Sequence, residues 1–145
     1  MTEIAFHFGA PDKALYSCRL LRKAAGAGSR LLVIADPEMV AEIDAKLWAL
    51  SSTDFVPHCL VSADVSVQRK TPVVLATELF PNIGDRNVLV NLASAPPNGF
   101  ESFDRLIEVV STDPVDRMAA RERWKFYVQR GYDIARHDLS LKQSE

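Results

Sequence analysis

The sequence predicts an α/β domain with a mostly parallel β-sheet flanked by helices. Short runs of Val, Leu and Ile alternate along the chain with segments that have the helical apolar period. Several of these runs are apolar throughout, as expected for strands covered on both faces of a parallel sheet. The chain has 145 residues, of which 48% are apolar and 25% charged, so disordered and fibrous classes are excluded. We expect one domain over residues 1–145, with a frayed end at 139–145.

The first half predicts the order strand, helix, strand, helix. The first strand covers Ile4 to Phe8 and ends at the turn-forming Gly9-Ala10-Pro11. A helix with apolar spacings of four, three and four residues follows and ends at Gly26. The second strand is Arg30 to Ala35, and Asp36-Pro37 begins the next helix as N-cap and first-turn proline. The apolar stripe of that helix consists of Val40, Ile43, Leu47 and Leu50.

The second half contains more strands and one long helix. The predicted strands are short, rich in Val and bounded by turn residues: Pro72–Ala76, Asn87–Leu92 and Ile107–Val110. Loops are predicted at Pro81–Asp85 and Ala95–Gly99. The last helix begins at Asp113-Pro114 and ends near Arg130, before Gly131. Tyr132 to Asp138 is predicted to be a final extended segment.

The residues do not form a catalytic, metal or nucleotide-binding motif. The turn after the first strand has one glycine and lacks both glycine-rich phosphate-binding patterns. The three His and two Cys are too scattered for a metal site, so Cys18 and Cys59 are interpreted as reduced, small apolar residues. No signal peptide or membrane span is predicted, and a cytoplasmic location is expected. The net charge of −2 argues against a dedicated nucleic-acid binder.

The last helix carries the first candidate surface. Residues 117–130 contain five cations and one acid, and helical spacing aligns Arg117, Arg121 and Lys125 beside Trp124. Three interpretations are open: a solvated face with Trp124 in the core, a pocket for an acidic peptide with a free apolar C-terminus, or a stacking site for single-stranded nucleic acid. A separate core-facing stripe is predicted for Val115, Met118, Ala119 and Phe126. The five cations are Arg117, Arg121, Arg123, Lys125 and Arg130.

A second candidate surface combines Trp48, Phe55 and Pro57. Trp48 lies about 100° around its helix from Leu47, which places it at the edge of the apolar stripe. Phe55 and Pro57 share a face if their segment is extended. These residues either cap the core or form an apolar docking patch.

Several separate segments, in the expected order, resemble the chi subunits of bacterial DNA polymerase III. The segments are Ala45–Trp48, Phe55–His58, Val88–Leu92, Phe103, Glu108–Val110, Arg121–Tyr127 and Gly131-Tyr132. The resemblance implies a nucleotide-binding-like (Rossmann-like) α/β fold that lacks the phosphate-binding loop. It also implies a non-catalytic accessory protein of the clamp loader, without cofactor or metal, while polymerase activity belongs to the holoenzyme.

The resemblance implies two partners and their sites. Chi proteins bind the acidic C-terminal tail of single-stranded-DNA-binding protein, and the matching residues here are Arg121, Trp124 and Lys125. The family more often has Tyr in place of Trp124, so a hydroxyl is absent here. Chi proteins also bind the psi subunit, or alternatively a repair helicase, through the surface that here contains Trp48, Phe55 and Pro57.

From these observations we predict a monomeric adaptor that joins single-stranded-DNA-binding protein to the clamp loader through a 1:1 complex with psi. Contact with DNA would then be mainly indirect. The alternatives are a module that binds single-stranded nucleic acid directly and a degenerate nucleotide enzyme.

Overall fold

The computed structural model describes residues 1–49, 56–79 and 86–139. In chain order, its elements are β1 (Glu3–Ala10), α1 (Lys13–Gly26), β2 (Leu31–Ile34), α2 (Pro37–Trp48), β3 (His58–Leu60), α3 (Val65–Lys70), β4 (Val73–Ala76), β5 (Val88–Asn91), a short 3-10 helix (Phe100–Ser102), β6 (Arg105–Ser111), α4 (Pro114–Gln129) and β7 (Ile134–Asp138). Leu50, Phe55, the predicted loop 81–85 and most of the predicted frayed end lie outside the described residues.

The described strands form one seven-stranded sheet in the order β3-β4-β2-β5-β6-β1-β7. Every strand pair in it is parallel. The predicted fold class is therefore confirmed, and the sheet is more uniform than the mostly parallel arrangement predicted. The strands β3 and β7 form its two edges, so each has one side without a neighbouring strand in the described chain.

Aspartates cap α1, α2 and α4, and two of them, Asp36 and Asp113, are the caps from which the starts of α2 and α4 were predicted. The side chain of Asp12 accepts a hydrogen bond from the Leu15 amide at 3.0 Å, and Asp36 accepts one from the Met39 amide at 2.8 Å. Asp113 caps α4 in the same way, and a proline occupies the first turn of α2 and of α4. These caps satisfy amide groups that have no partner within the helix.

The two faces of the sheet are covered by different elements. On one face, Leu21 of α1 and Leu47 of α2 pack against strand residues such as Val33 of β2. The other face is covered by α4 and the 3-10 helix, whose Tyr127 and Phe100 pack against Phe6 and Leu89. No helix among the described residues is both long enough and apolar enough to cross a membrane.

The buried side of α4 differs from the prediction. Val115 and Met118 are 77% and 65% exposed, whereas Ala120, Arg123 and Tyr127 are buried. The reason is a buried carboxylate in the sheet, Glu108, which requires a cation and hydrogen-bond donors from the helix above it. The predicted stripe was wrong at Val115 and Met118 because compensation of this charge, rather than apolar spacing, orients the helix.

Candidate functional site

A groove of about 500 Å³ lies between α4 and the sheet strands β1, β6 and β7. Its lining residues come from these four elements and are Phe6, Phe8, Val110, Arg117, Ala120, Arg121, Trp124, Lys125 and Arg136. The three residues predicted for the first surface, Arg121, Trp124 and Lys125, are all among them. The structure therefore brings them together around one cavity.

Aromatic and aliphatic side chains form the apolar part of the groove. The rings of Phe6 and Trp124 are 5.1 Å apart at an interplanar angle of 58°. Phe6 is buried, while Phe8 and Trp124 are half-buried. Trp124 is thus neither wholly core nor wholly solvated, since it packs on Phe6 and also lines the cavity. Such a surface can accept one bulky apolar side chain.

The groove is ringed by cations. Arg117, Arg121 and Lys125 project from α4, Arg136 comes from β7, and the lining set contains no carboxylate. Within the described ranges, the ion pairs do not include these three arginines. Lys125 lies 3.5 Å from Glu122, but both side chains are largely exposed, so water screens this pair. The electrostatics of the groove consequently favour an anionic ligand.

Arg123, one of the five cations counted on the last helix, is not part of its charged surface. Its side chain is 1% exposed, and its Nε donates a hydrogen bond to Glu108 Oε1 at 2.9 Å. Because Glu108 is 0% exposed, the two charges compensate each other beneath the helix. Arg123 therefore contributes to positioning α4 and does not line the groove.

A buried hydrogen-bond network surrounds this ion pair. Tyr127 donates to Glu108 Oε2 at 2.5 Å, and Asn91 Nδ2 donates to both carboxylate oxygens at 3.1 and 3.0 Å. Burial raises the pKa of Glu108, while Arg123, Tyr127 and Asn91 act in the opposite direction. Burial also raises the pKa of Tyr127, and the adjacent Glu108 charge adds to this effect. The network holds α4 against β5 and β6 in one rotational orientation about the helix axis.

That rotation determines which side chains reach the groove. With Arg123 and Tyr127 turned into the core, the residues at 117, 121, 124 and 125 face the cavity side of the helix. Arg123 Nη1 also donates to the Ser94 carbonyl oxygen at 3.2 Å, which links α4 to the loop after β5. The buried network therefore determines the rotation of α4, and that rotation determines which of its side chains line the groove.

Three groove residues were not predicted from the sequence: Phe6, Phe8 and Arg136. Phe6 and Phe8 alternate on β1 and so share one face of the strand, a signal that was available in the sequence. Arg136 is opposite Phe6 only because β7 pairs with β1, in a register that aligns the two residues. Spacing within one element carries no information about such pairing.

The second predicted surface lies at the opposite edge of the sheet, beside β3. Trp48 is 61% exposed, and its ring lies 4.9 Å from that of His58. His58 is held by Nδ1, which donates to the Val56 carbonyl oxygen at 2.7 Å, and by Nε2, 3.1 Å from the Asp44 carboxylate. Pro57 is exposed next to it in the chain. The predicted member Phe55 falls outside the described residues.

The two surfaces are well separated in space. The strands β3 and β7 are the two edges of a seven-stranded sheet, which corresponds to roughly 29 Å at the usual spacing of neighbouring strands. The Trp48 surface adjoins β3, whereas the groove lies beside β1 and β7. Two macromolecular partners can therefore be accommodated at the same time.

The family model described as "DNA polymerase III chi subunit, HolC" matches residues 1–135. The chain belongs to the chi family. Similar curated proteins carry the name DNA polymerase III subunit chi. The relative from Pseudomonas aeruginosa is 34% identical over 124 residues, covering 85% of this chain and 84% of that protein. The relative from Haemophilus influenzae is 29% identical, with 85% of each chain covered.

A third chi relative, from Escherichia coli strain K12, is 26% identical over 118 residues, or 81% of this chain and 79% of that protein. Membership in the chi family confirms the resemblance inferred from the sequence. It assigns the chain to DNA polymerase III and hence to DNA replication.

Proposed function

We propose that this chain is a non-catalytic adaptor that connects single-stranded-DNA-binding protein to the clamp loader through the psi subunit. The observation that carries the proposal is the groove beside α4, where an aromatic floor is surrounded by arginines that have no carboxylate partner among the described residues. In this reading the chain acts by binding in the cytoplasm, and nucleotidyl transfer belongs to the assembled polymerase.

The groove matches an acidic peptide with an apolar end. A terminal Phe side chain fits against Phe6, Phe8 and Trp124, while neighbouring carboxylates reach Arg121 and Lys125. Charge-assisted hydrogen bonds to arginine are among the stronger polar contacts, and desolvation by the aromatic floor strengthens them. The acidic C-terminal tail of single-stranded-DNA-binding protein has this chemistry.

The Trp48 surface is the proposed contact for psi, or alternatively for a repair helicase. A tryptophan exposed to 61% beside an exposed proline and a sheet edge is typical of protein contacts. Because this surface and the groove lie at opposite sheet edges, a bound psi would leave the groove accessible. This separation is what an adaptor requires.

Fluorescence anisotropy with a labelled acidic peptide ending in Asp-Ile-Pro-Phe tests the tail site. At low salt we expect binding, weaker binding as the salt concentration rises, and a loss of about 1 kcal/mol or more in Lys125→Ala. Lys70→Ala is the matched control, since Lys70 is an exposed lysine on α3, near the other sheet edge. Equal affinities for both variants would remove Lys125 from the site.

A labelled single-stranded oligonucleotide, titrated without any protein tail, tests the competing function. Bases could stack on Trp124 while phosphates contact the same cations. We expect no binding at moderate salt, because the chain has a net charge of −2 and the ring is already packed against Phe6. Tight oligonucleotide binding that the peptide does not displace would favour a direct nucleic-acid module.

Co-purification with psi tests the second surface. Trp48→Ala and Phe55→Ala are expected to abolish capture of psi and to leave tail affinity unchanged. The Trp48 ring is mostly exposed, so its removal should cost little stability. Loss of both activities in one variant would indicate unfolding, which circular dichroism detects.

A further inference from the structure

The groove has a cation on each of its two walls. Arg121 and Lys125 lie on α4, whereas Arg136 lies on the edge strand β7. We propose that Arg136 binds the terminal carboxylate of the peptide and is the specificity-determining residue for a free C-terminus. The inference rests on the proposed function and adds to it that Arg136 binds the terminal carboxylate while the cations of α4 bind the upstream acids.

The placement of Arg136 follows from the pairing of β1 with β7. In this parallel register Arg136 is opposite Phe6, and the groove side of β7 continues the aromatic floor of β1. Its guanidinium carbon lies 5.5 Å from the centre of the Phe8 ring and 5.9 Å from the centre of the Trp124 ring. The cation thus sits at the boundary between floor and rim.

A guanidinium in contact with aromatic rings is well prepared to bind a carboxylate. Its flat face interacts with the ring, while N–H groups along its edge stay available for two parallel hydrogen bonds. Among the described residues Arg136 forms no ion pair. Asp138 occupies the next position on the same face of β7, paired with Phe8, and it does not line the groove. The edge of Arg136 is therefore available to a ligand anion.

The terminal carboxylate is the anion nearest to Arg136 in any peptide whose last side chain occupies the floor. That carboxylate is bonded to the Cα of the same residue, so it stays beside the floor, next to the Phe8 and Trp124 rings that Arg136 contacts. Upstream acids are about 3.3 Å further along an extended chain with each residue. They meet the row of cations along α4, Arg121 and then Arg117, one helical turn away.

The test is a binding cycle with two peptides, both ending in Asp-Ile-Pro-Phe, one with a free terminal carboxylate and one amidated. Each is titrated by anisotropy against the wild type, Arg136→Gln, Arg136→Lys and Arg130→Gln. Arg130 is the matched control, because it is an exposed arginine stacked on Phe126 at 3.5 Å and does not line the groove. Circular dichroism and thermal unfolding establish that each variant is folded.

We expect Arg136→Gln to weaken binding of the free-acid peptide about tenfold and to leave binding of the amidated peptide nearly unchanged. Arg136→Lys should retain part of the affinity, since it keeps the charge but loses the planar fork. Arg130→Gln should match the wild type within about twofold, since it tests only the long-range loss of one charge.

Two results would overturn the inference while leaving the proposed function intact. The first is that the wild type binds the peptide and Arg136→Gln loses no more affinity than Arg130→Gln. The second is an equal loss for the free-acid and amidated peptides, which would assign Arg136 to an upstream acid. If the folded wild type binds neither peptide, the proposed function itself fails, and the role of Arg136 fails with it.

Discussion

Removing one member of the buried Glu108–Arg123 pair should destabilise the protein severely. Arg123→Met keeps most of the aliphatic stem but loses the 2.9 Å bond to Glu108 and the 3.2 Å bond to the Ser94 carbonyl oxygen. The first bond is charge-assisted and is worth about 1.5–3 kcal/mol, and the second about 1 kcal/mol. With a carboxylate left unpaired at 0% exposure, we expect a total loss of about 3–5 kcal/mol.

This loss should depend on pH. Burial raises the pKa of Glu108, and Arg123 is the strongest influence acting against that rise. Without Arg123 the folded-state pKa of Glu108 therefore rises further above its unfolded value. The stability associated with a raised pKa is fully present below the unfolded pKa and is lost as pH rises through the folded pKa. The deficit of Arg123→Met relative to wild type should thus be larger at pH 8 than at pH 5.

Urea unfolding followed by circular dichroism at these two pH values measures the effect. The double variant Glu108→Gln/Arg123→Met removes both charges, so its loss should be smaller than the sum of the two single losses and nearly independent of pH. A loss of unfolding free energy below about 1 kcal/mol at both pH values, or losses of the two single variants that simply add in the double variant, would contradict this prediction. Domains of this size typically have a free energy of unfolding of about 5–15 kcal/mol, so the expected loss is readily measured.

Three further predictions concern other buried groups. Burial opposes ionisation of Asp116, but the Ser111 amide and Lys13 outweigh it and lower the pKa of Asp116. Because the pKa of Asp116 is lower in the folded than in the unfolded state, its ionised carboxylate stabilises the fold at neutral pH. Asp116→Asn should therefore lower the free energy of unfolding by about 1 kcal/mol at pH 7 in urea unfolding. This difference should disappear as the pH falls through the folded-state pKa of Asp116. Arg86 donates to four backbone carbonyl oxygens, so Arg86→Met should lose about 2–3 kcal/mol of unfolding free energy in the same assay. Arg86→Lys should not restore it, because an ammonium lacks the planar guanidinium that makes these four contacts. Burial raises the pKa of the Cys18 thiol to about 11, so the folded chain should react slowly with a thiol label at pH 7.5. Mass spectrometry should detect Cys18 adducts only in urea, and rapid labelling of the folded chain would contradict this.

The local sequence was sufficient to predict most elements of the fold. Apolar runs of strand length identified β1, β2, β4, β5 and β6, and the aspartate caps located the starts of α2 and α4. These signals arise from backbone hydrogen bonding and burial within a few residues, so they can be read along the chain. The brief elements β3, α3 and the 3-10 helix were not predicted, because segments of three to six residues are too short to show a clear period.

The candidate site was only partly predictable. Helical spacing correctly grouped Arg121, Trp124 and Lys125, since residues three and four apart are neighbours on any helix. Nothing in the sequence indicated that Arg123, counted among the five cations of this helix, is buried. Its burial depends on Glu108, which lies 15 residues away and becomes its partner only when α4 packs on β6.

By itself, then, the sequence determined the α/β class, the starts of α2 and α4 and the set of cations on the last helix. The tertiary structure decided which side of α4 is buried, because a charge removed from water must be compensated wherever packing places it. It also decided the second wall of the groove. Phe6 and Arg136 are 130 positions apart and become neighbours through parallel pairing of β1 with β7, a register that no local periodicity encodes.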